Sequence, residues 1–198
     1  MKSVLGGIAI AAILSVASAQ RITWLGSLQQ GSGSVAWGVS ADGRTVVGVS
    51  GAYGMRRAFI WREGVGMQAL PVFEGAVGSE AWNVSDDGRY VAGTIINSSW
   101  QYQNIRWDAE TGTITNLGTF GGAEGRSFAV SADGAVVAGY AFSSAGPYYA
   151  YRWTQSSGLV SSGVPYSWAY GIAADGQTVV GLSCSSCCST SVAGAKGV

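Results

Sequence analysis

The chain contains no histidine. This excludes Ser-His-Asp and Cys-His arrangements for nucleophilic catalysis and removes the commonest transition-metal ligand. The groups left to do chemistry are three cysteines, eleven carboxylates and a large aromatic set of eight Trp, nine Tyr and five Phe. The cysteines lie together as Cys184, Cys187 and Cys188 near the C-terminus. In an oxidising compartment two of them are candidates for a disulfide, with one thiol left over for intermolecular pairing or reaction. Cys184 and Cys187 have C-x-x-C spacing, but without a second pair or any histidine this is a weak zinc signal, so neither metal nor cofactor is expected.

The carboxylates point to turns rather than to acid-base catalysis. Asp42, Asp87, Asp133 and Asp175 each precede a glycine in a recurring motif. None has the alternating acidic ligands and closing glutamate of an EF-hand, so they read as structural turns. Asp108 and Glu110 fall in a further strand-to-strand turn, and Glu63, Glu74, Glu80 and Glu124 are read as connector residues. A glycosidase needs two carboxyl groups about 5 to 10 Å apart, and this supply is small. The run GGAEG at 121–125 lacks the Lys and Ser or Thr of a phosphate loop. The expectation is a protein without catalytic activity.

The aromatics divide into two groups. Trp37, Trp61, Trp82, Trp107 and Trp153 recur with a fixed period and read as core. Trp24, Trp100, Tyr102, Tyr148, Tyr166 and Trp168 fall at less regular positions, where flat faces can stack on sugar rings or pack against a protein partner. These six are the candidate ligand-binding residues, and the candidate partner is a glycan or another protein.

The elements that must position them come from an internal repeat. AWGVSADGRTVVG begins at Ala36, AWNVSDDGRYVAG at Ala81, SFAVSADGAVVAG at Ser127 and AYGIAADGQTVVG at Ala169, with the turn aspartates 45, 46 and 42 residues apart. A second motif ends at Trp61, Trp107 and Trp153, both intervals being 46 residues. In the first motif an aromatic (Trp37, Trp82, Phe128, Tyr170) is followed two positions later by Val39, Val84, Val130 or Ile172. That period of two places both on one face of a strand, the expected core face. Asp-Gly then marks a tight hairpin, and a β-branched run returns. Gly48, Gly93, Gly139 and Gly181 close the returning strand and indicate a bulge or close backbone approach. The tryptophan motif supplies a third strand and a Gly turn leads to a fourth, at about 67–70, 113–117 and 159–162. Four short antiparallel strands every 45 to 46 residues predict an all-β, β-propeller-like array of about three and a half units, with a stacked solenoid as the runner-up.

Residues 1–19 read as a signal peptide, with Lys2, an apolar run from Val4 to Val16 and an A-x-A site at Ala17 to Ala19. That run is too short to span a bilayer, which takes about 20 apolar residues, and no membrane span is expected. The expected organisation is therefore a leader, a repeat domain over 20–183 and an irregular Cys-containing tail over 184–198. Loss of Lys2 leaves ten basic against eleven acidic residues, a net charge of −1 with no basic block. Nucleic acid is thus a poor partner. Ile22 to Leu28 matches Ile114 to Phe120 and predicts that the mature chain opens with a fourth strand, while the last unit shows only its first two strands. Three alternatives follow: an incomplete array, closure of the last unit by the N-terminal strand, or self-association through open strand edges.

The hairpin S-x-D-G-x-x-V-x-G, the strand containing Ala58, Phe59 and Trp61 or Tyr151, Arg152 and Trp153, and the segment with Leu117 and Gly118 resemble the extracellular HAF repeats of bacterial exported proteins. Arg57, Asn104 and Tyr149 stand where the family's histidine would be. The resemblance covers nearly the whole mature chain. It implies export to the cell surface, the extracellular space or the periplasm, and it supplies no catalytic residues to carry over.

Overall fold

A computed structural model describes residues 22–51 and 55–184. The expected signal peptide, Cys187 and Cys188 lie outside the described residues. Within them the chain forms fourteen strands and no helix. The first unit comprises β1 (Ser34–Val39), β2 (Thr45–Ser50), β3 (Arg57–Arg62) and β4 (Gly66–Ala69). The second comprises β5 (Gly78–Val84), β6 (Tyr90–Ile96), β7 (Tyr102–Asp108) and β8 (Thr113–Asn116). The third comprises β9 (Gly121–Val130), β10 (Val136–Ser143), β11 (Tyr148–Thr154) and β12 (Gly158–Pro165). Each is a four-stranded antiparallel meander in sequence order, and β13 (Ser167–Ile172) with β14 (Val179–Ser183) makes a two-stranded fourth unit.

The hairpin turn is longer than a two-residue Asp-Gly loop. Five residues, 40–44, join β1 to β2, and only the glycine takes a positive φ, at 72° in Gly43, 75° in Gly88, 71° in Gly134 and 70° in Gly176. The serine preceding the turn explains the spacing. Ser40, Ser85 and Ser131 donate to the carboxylates of Asp42, Asp87 and Asp133 at 2.6, 2.5 and 2.6 Å. The same hydroxyls accept from the amides of Thr45, Tyr90 and Val136. Ala173 replaces the serine in the fourth unit, where Asp175 accepts from Gln177. The turns also join neighbouring units, for Ala41 N–H donates to Asp86 O, Asp86 N–H to Ala132 O and Ala132 N–H to Ala174 O at 3.0 to 3.1 Å.

Hydroxyl donation from Ser40 and Ser131 lowers the pKa of Asp42 and Asp133, and the Arg89 guanidinium lowers that of Asp108. Because these pKa values are depressed in the folded chain, their stabilising contribution is complete above the unfolded carboxylate value and is lost as pH falls toward the folded values. Urea midpoints are expected to stay level from pH 8 to 5 and to drop progressively below about pH 4. A midpoint that falls between pH 8 and 5 contradicts this assignment.

The core lies in the seams between units. Val47, Ala58, Ile60 and Leu70 of the first unit pack on Val84, Val91, Ile95, Ile105 and Trp107 of the second. Ala92 and Leu117 meet Val130, Val137, Tyr151 and Trp153, and Ala138 and Ala150 meet Ala169 and Val179. Trp107 and Trp153 each pack back on the preceding unit: the Trp107 indole N–H donates to Pro71 O at 2.8 Å, and Arg106 of the second unit lies 4.9 Å from the Trp153 ring centre. Trp107 and Trp153 are buried as expected, at 0% and 5% exposure. Trp61 is only half-buried, since no unit precedes the first among the described residues.

Two expectations are corrected. Residues 22–27 form no strand, so neither an opening fourth strand nor closure of the last unit by it is present. A fourth strand forms by pairing with a third, as β8 does with β7, and no such partner adjoins Ile22. The segment instead follows the first unit, Leu28 N–H donating to Ser50 Oγ and Ser34 Oγ to Gly26 O. The second correction concerns Trp37 and Trp82, which are half-buried rather than core, for a reason that defines the site.

Candidate functional site

In every unit the register slips at the aromatic of the first strand. The pairing skips Trp37, Trp82, Phe128 and Tyr170, each the extra residue of a β-bulge. The glycines on the returning strands make room for it. A Cβ on Gly48, Gly93, Gly139 or Gly181 would stand 2.0, 2.2, 1.9 or 1.8 Å from a first-strand carbonyl oxygen. The bulge breaks the period of two and turns the aromatics out of the core into a ladder across all four units. Trp37 stacks on Trp82 at 4.1 Å and 5°, Trp82 meets Phe128 edge-on at 5.2 Å, and Phe128 lies 5.1 Å from Tyr170.

The ladder leads to the end of the sheets opposite the Asp-Gly turns, where first and third strands begin and second strands finish. Two residues before the bulge stand Glu80, Arg126 and Trp168 in successive units, and five before the third-strand tryptophan stand Arg56, Tyr102 and Tyr148. These equivalent positions converge. The Arg126 guanidinium lies 3.8 Å from the Tyr102 ring centre and 3.7 Å from Glu80, which also pairs with Arg56 at 3.3 Å. Arg126 is opposite Tyr140 in the β9–β10 register. From Tyr140 the rings continue to Phe142 at 6.1 Å, Tyr148 at 5.6 Å and Trp168 at 6.4 Å, and Tyr148 touches Trp168 at 4.5 Å and Tyr166 at 5.4 Å. Burial raises the phenol pKa of Tyr140 and Tyr170, against the pull of Arg126, so both rings are neutral hydrogen-bonding platforms at physiological pH.

Of the six aromatics singled out in the sequence, Tyr148, Tyr166 and Trp168 thus share one cluster. Trp100 and Tyr102 line a neighbouring cleft of about 250 Å³ with Arg56, Glu80 and Arg126. Trp24 stands 90% exposed on the N-terminal segment, outside these groups. Trp100 and Tyr166 take φ values of 61° and 55°, the non-glycine positive-φ residues among those described. Strained backbone of this kind clusters at functional sites and ligand clamps. Glu80 and Glu124 lie in β5 and β9 rather than in connectors. Glu80, Arg126, Tyr140 and Phe142 are the residues that sequence reading missed. Their signal was the repeat itself, since each sits at a fixed offset from a motif already aligned. Half-buried Cys184 donates its amide to Tyr166 O at 3.0 Å, beside the same cluster. Chemically the surface offers stacking faces, guanidinium donors and one buried carboxylate.

A scan of protein-family models returned no match to the sequence, and neither did a search of curated proteins. Solved structures do match. TolB from Acinetobacter baumannii aligns with a TM-score of 0.55 at 19% identity, over 76% of this chain and 37% of that one. A putative TolB from Agrobacterium tumefaciens gives 0.56 at 12% identity, over 75% and 52%. A structure from a study of two prolyl endopeptidases gives 0.51 at 14% identity, over 74% and 25%. The chain therefore spans between a quarter and about half of these longer proteins. At such identities the likeness concerns the fold alone, and with the repeated four-stranded meanders it establishes the chain as a β-propeller array.

Proposed function

We propose that this chain is an exported, noncatalytic binding module that holds a glycan or protein partner on the aromatic and arginine face where its first and third strands begin. The observation that supports this most is convergence: Arg126, Tyr140, Tyr148 and Trp168, contributed by two units, form one connected surface. Flat, amphipathic rings around a guanidinium are the composition of binding hot spots, because they bury area with little loss of side-chain entropy. Export rests on the leader read at residues 1–19 and on the resemblance to HAF repeats, and it fits a scaffold poor in charge and rich in tight turns.

The mature chain, probed against combined glycan and peptide arrays, is expected to bind saturably. A Tyr148→Ala, Trp168→Ala double variant, measured well below its own unfolding transition, should lose that binding by about tenfold or more, since ring contacts of this kind carry the larger share of such interactions. Silence on both arrays, undiminished binding by the variant, or turnover of an arrayed molecule each contradicts the reading.

A further inference from the structure

We infer that the cleft between Arg56, Glu80, Arg126 and Trp100 takes a single sugar ring, preferring an acidic sugar to an amino sugar. The inference rests on the binding-module reading above and names the ligand class at one end of the same face.

Glu80 carries the argument. Its side chain is 7% exposed, yet only Oε1 is hydrogen-bonded, by Arg56 at 3.3 Å. Oε2 is buried without a hydrogen bond, its nearest cation being the Arg126 guanidinium at 3.7 Å, beyond hydrogen-bond length. Arg126 Nε is likewise buried without an acceptor. Buried polar atoms are normally paired, so the cleft holds an unused acceptor beside an unused donor. A hydroxyl group is both donor and acceptor and matches that combination. An ammonium would supply the donor, but among the side chains that line the cleft two guanidiniums stand against one carboxylate, Glu124 being turned to the Tyr102 amide outside the lining at 3.4 Å, and this lining disfavours a cation and attracts an anion.

The walls fix the shape of the ligand. Trp100 is 58% exposed beside Ile96 and Tyr102, offering a flat apolar face above the polar floor. Asn97 holds its loop in place, accepting from the amides of Ser99 and Gln101 through its side chain and from Trp100 N–H through its carbonyl. The backbone that carries the ring is therefore held in place before any ligand arrives, which lowers the ordering cost of binding. A volume of about 250 Å³ is small beside the roughly 300 Å³ at which drug-sized pockets begin, and suits one ring rather than a chain. A polyhydroxylated ring with one apolar face and hydroxyls on its rim meets both demands together.

The test is titration of the mature chain with methyl β-glucuronide, methyl β-glucoside and methyl β-glucosaminide, followed by tryptophan fluorescence and calorimetry. The glucuronide is expected to bind tightest and the glucosaminide at least about tenfold more weakly. Trp100→Ala should weaken the glucuronide by about tenfold, whereas Trp100→Phe should keep most of the affinity, and Glu80→Gln, which removes the lining carboxylate, should widen the preference for the glucuronide over the glucosaminide. Because Trp100 is exposed, its variants report on the site independently of folding. Absence of binding by all three sugars, tightest binding of the glucosaminide by the parent or by Glu80→Gln, or affinity unchanged in Trp100→Ala overturns the inference. Array binding to peptides alone also overturns it while leaving the module reading intact. Loss of all array binding would remove both.

Discussion

Replacement of Trp107 by alanine is expected to destabilise the chain by about 3 to 5 kcal/mol, the range for deleting a fully buried large aromatic. The residue is at 0% exposure in the seam between the first two units, packed among Ile60, Leu70 and Ile105, and its indole N–H donates to Pro71 O at 2.8 Å. Truncation removes the transfer energy, opens a cavity that two rigid sheets cannot close, and leaves the Pro71 carbonyl without its donor. Phenylalanine keeps most of the volume and loses the hydrogen bond, so Trp107→Phe should fall well short of the alanine variant. Urea denaturation of both variants checks the order. Equal midpoints for wild type and Trp107→Ala would mean that the seam is not the core.

The second large effect is expected at a glycine. In Gly139→Ala the added Cβ would lie 1.9 Å from the carbonyl oxygen of Arg126, with Ser127 Cα at 3.0 Å. Both contacts are backbone, so relief requires the β9 bulge to flatten. We expect a loss of at least about 2 kcal/mol, in the class of backbone overpacking. The consequence reaches function as well as stability. The bulge at Phe128 sets where β9 turns, and Arg126, two residues earlier, is the guanidinium that meets Tyr102 and Glu80. Ligand affinity on the end face should therefore fall beyond what the unfolded fraction explains, a difference visible in binding measured well below the melting transition. Gly146→Ala is a suitable comparison for steric crowding, because nothing lies within 4 Å of a Cβ there, although its φ of 103° adds backbone strain.

The two sites show why the fold was more legible than the surface. The repeat period, the hairpins and the closing glycines were all readable, because each follows from local alternation and turn chemistry that the sequence states directly. Gly139 was readable as a place of close approach. What it approaches was not, since the bulge depends on the partner strand's register, a nonlocal property. The same bulge explains the misplacement of Trp37 and Trp82 in the core: a period of two predicts a common face with Val39 and Val84 only while the ladder is regular. Trp107 and Trp153 were placed correctly because their strands pair with the preceding strand without interruption. Glu80 was read as a connector residue because a charged side chain within a strand, buried at 5% exposure, runs against every local preference. Only the arrival of Arg56 and Arg126 from neighbouring units makes that position tolerable, and neither arrival is visible along one strand. The opening segment, Ile22 to Leu28, failed for a related reason. Its resemblance to β8 concerns sequence, but a strand also needs a neighbour.

The most direct test of the account is amide hydrogen exchange on the mature chain, with and without whichever arrayed ligand it binds. Protection is expected at the strand ends that carry Glu80, Tyr102, Arg126, Tyr140, Tyr148 and Trp168, with no change at the turns of Asp42, Asp87, Asp133 and Asp175 at the opposite end. Protection confined to those turns, or absent from the aromatic end, would contradict it.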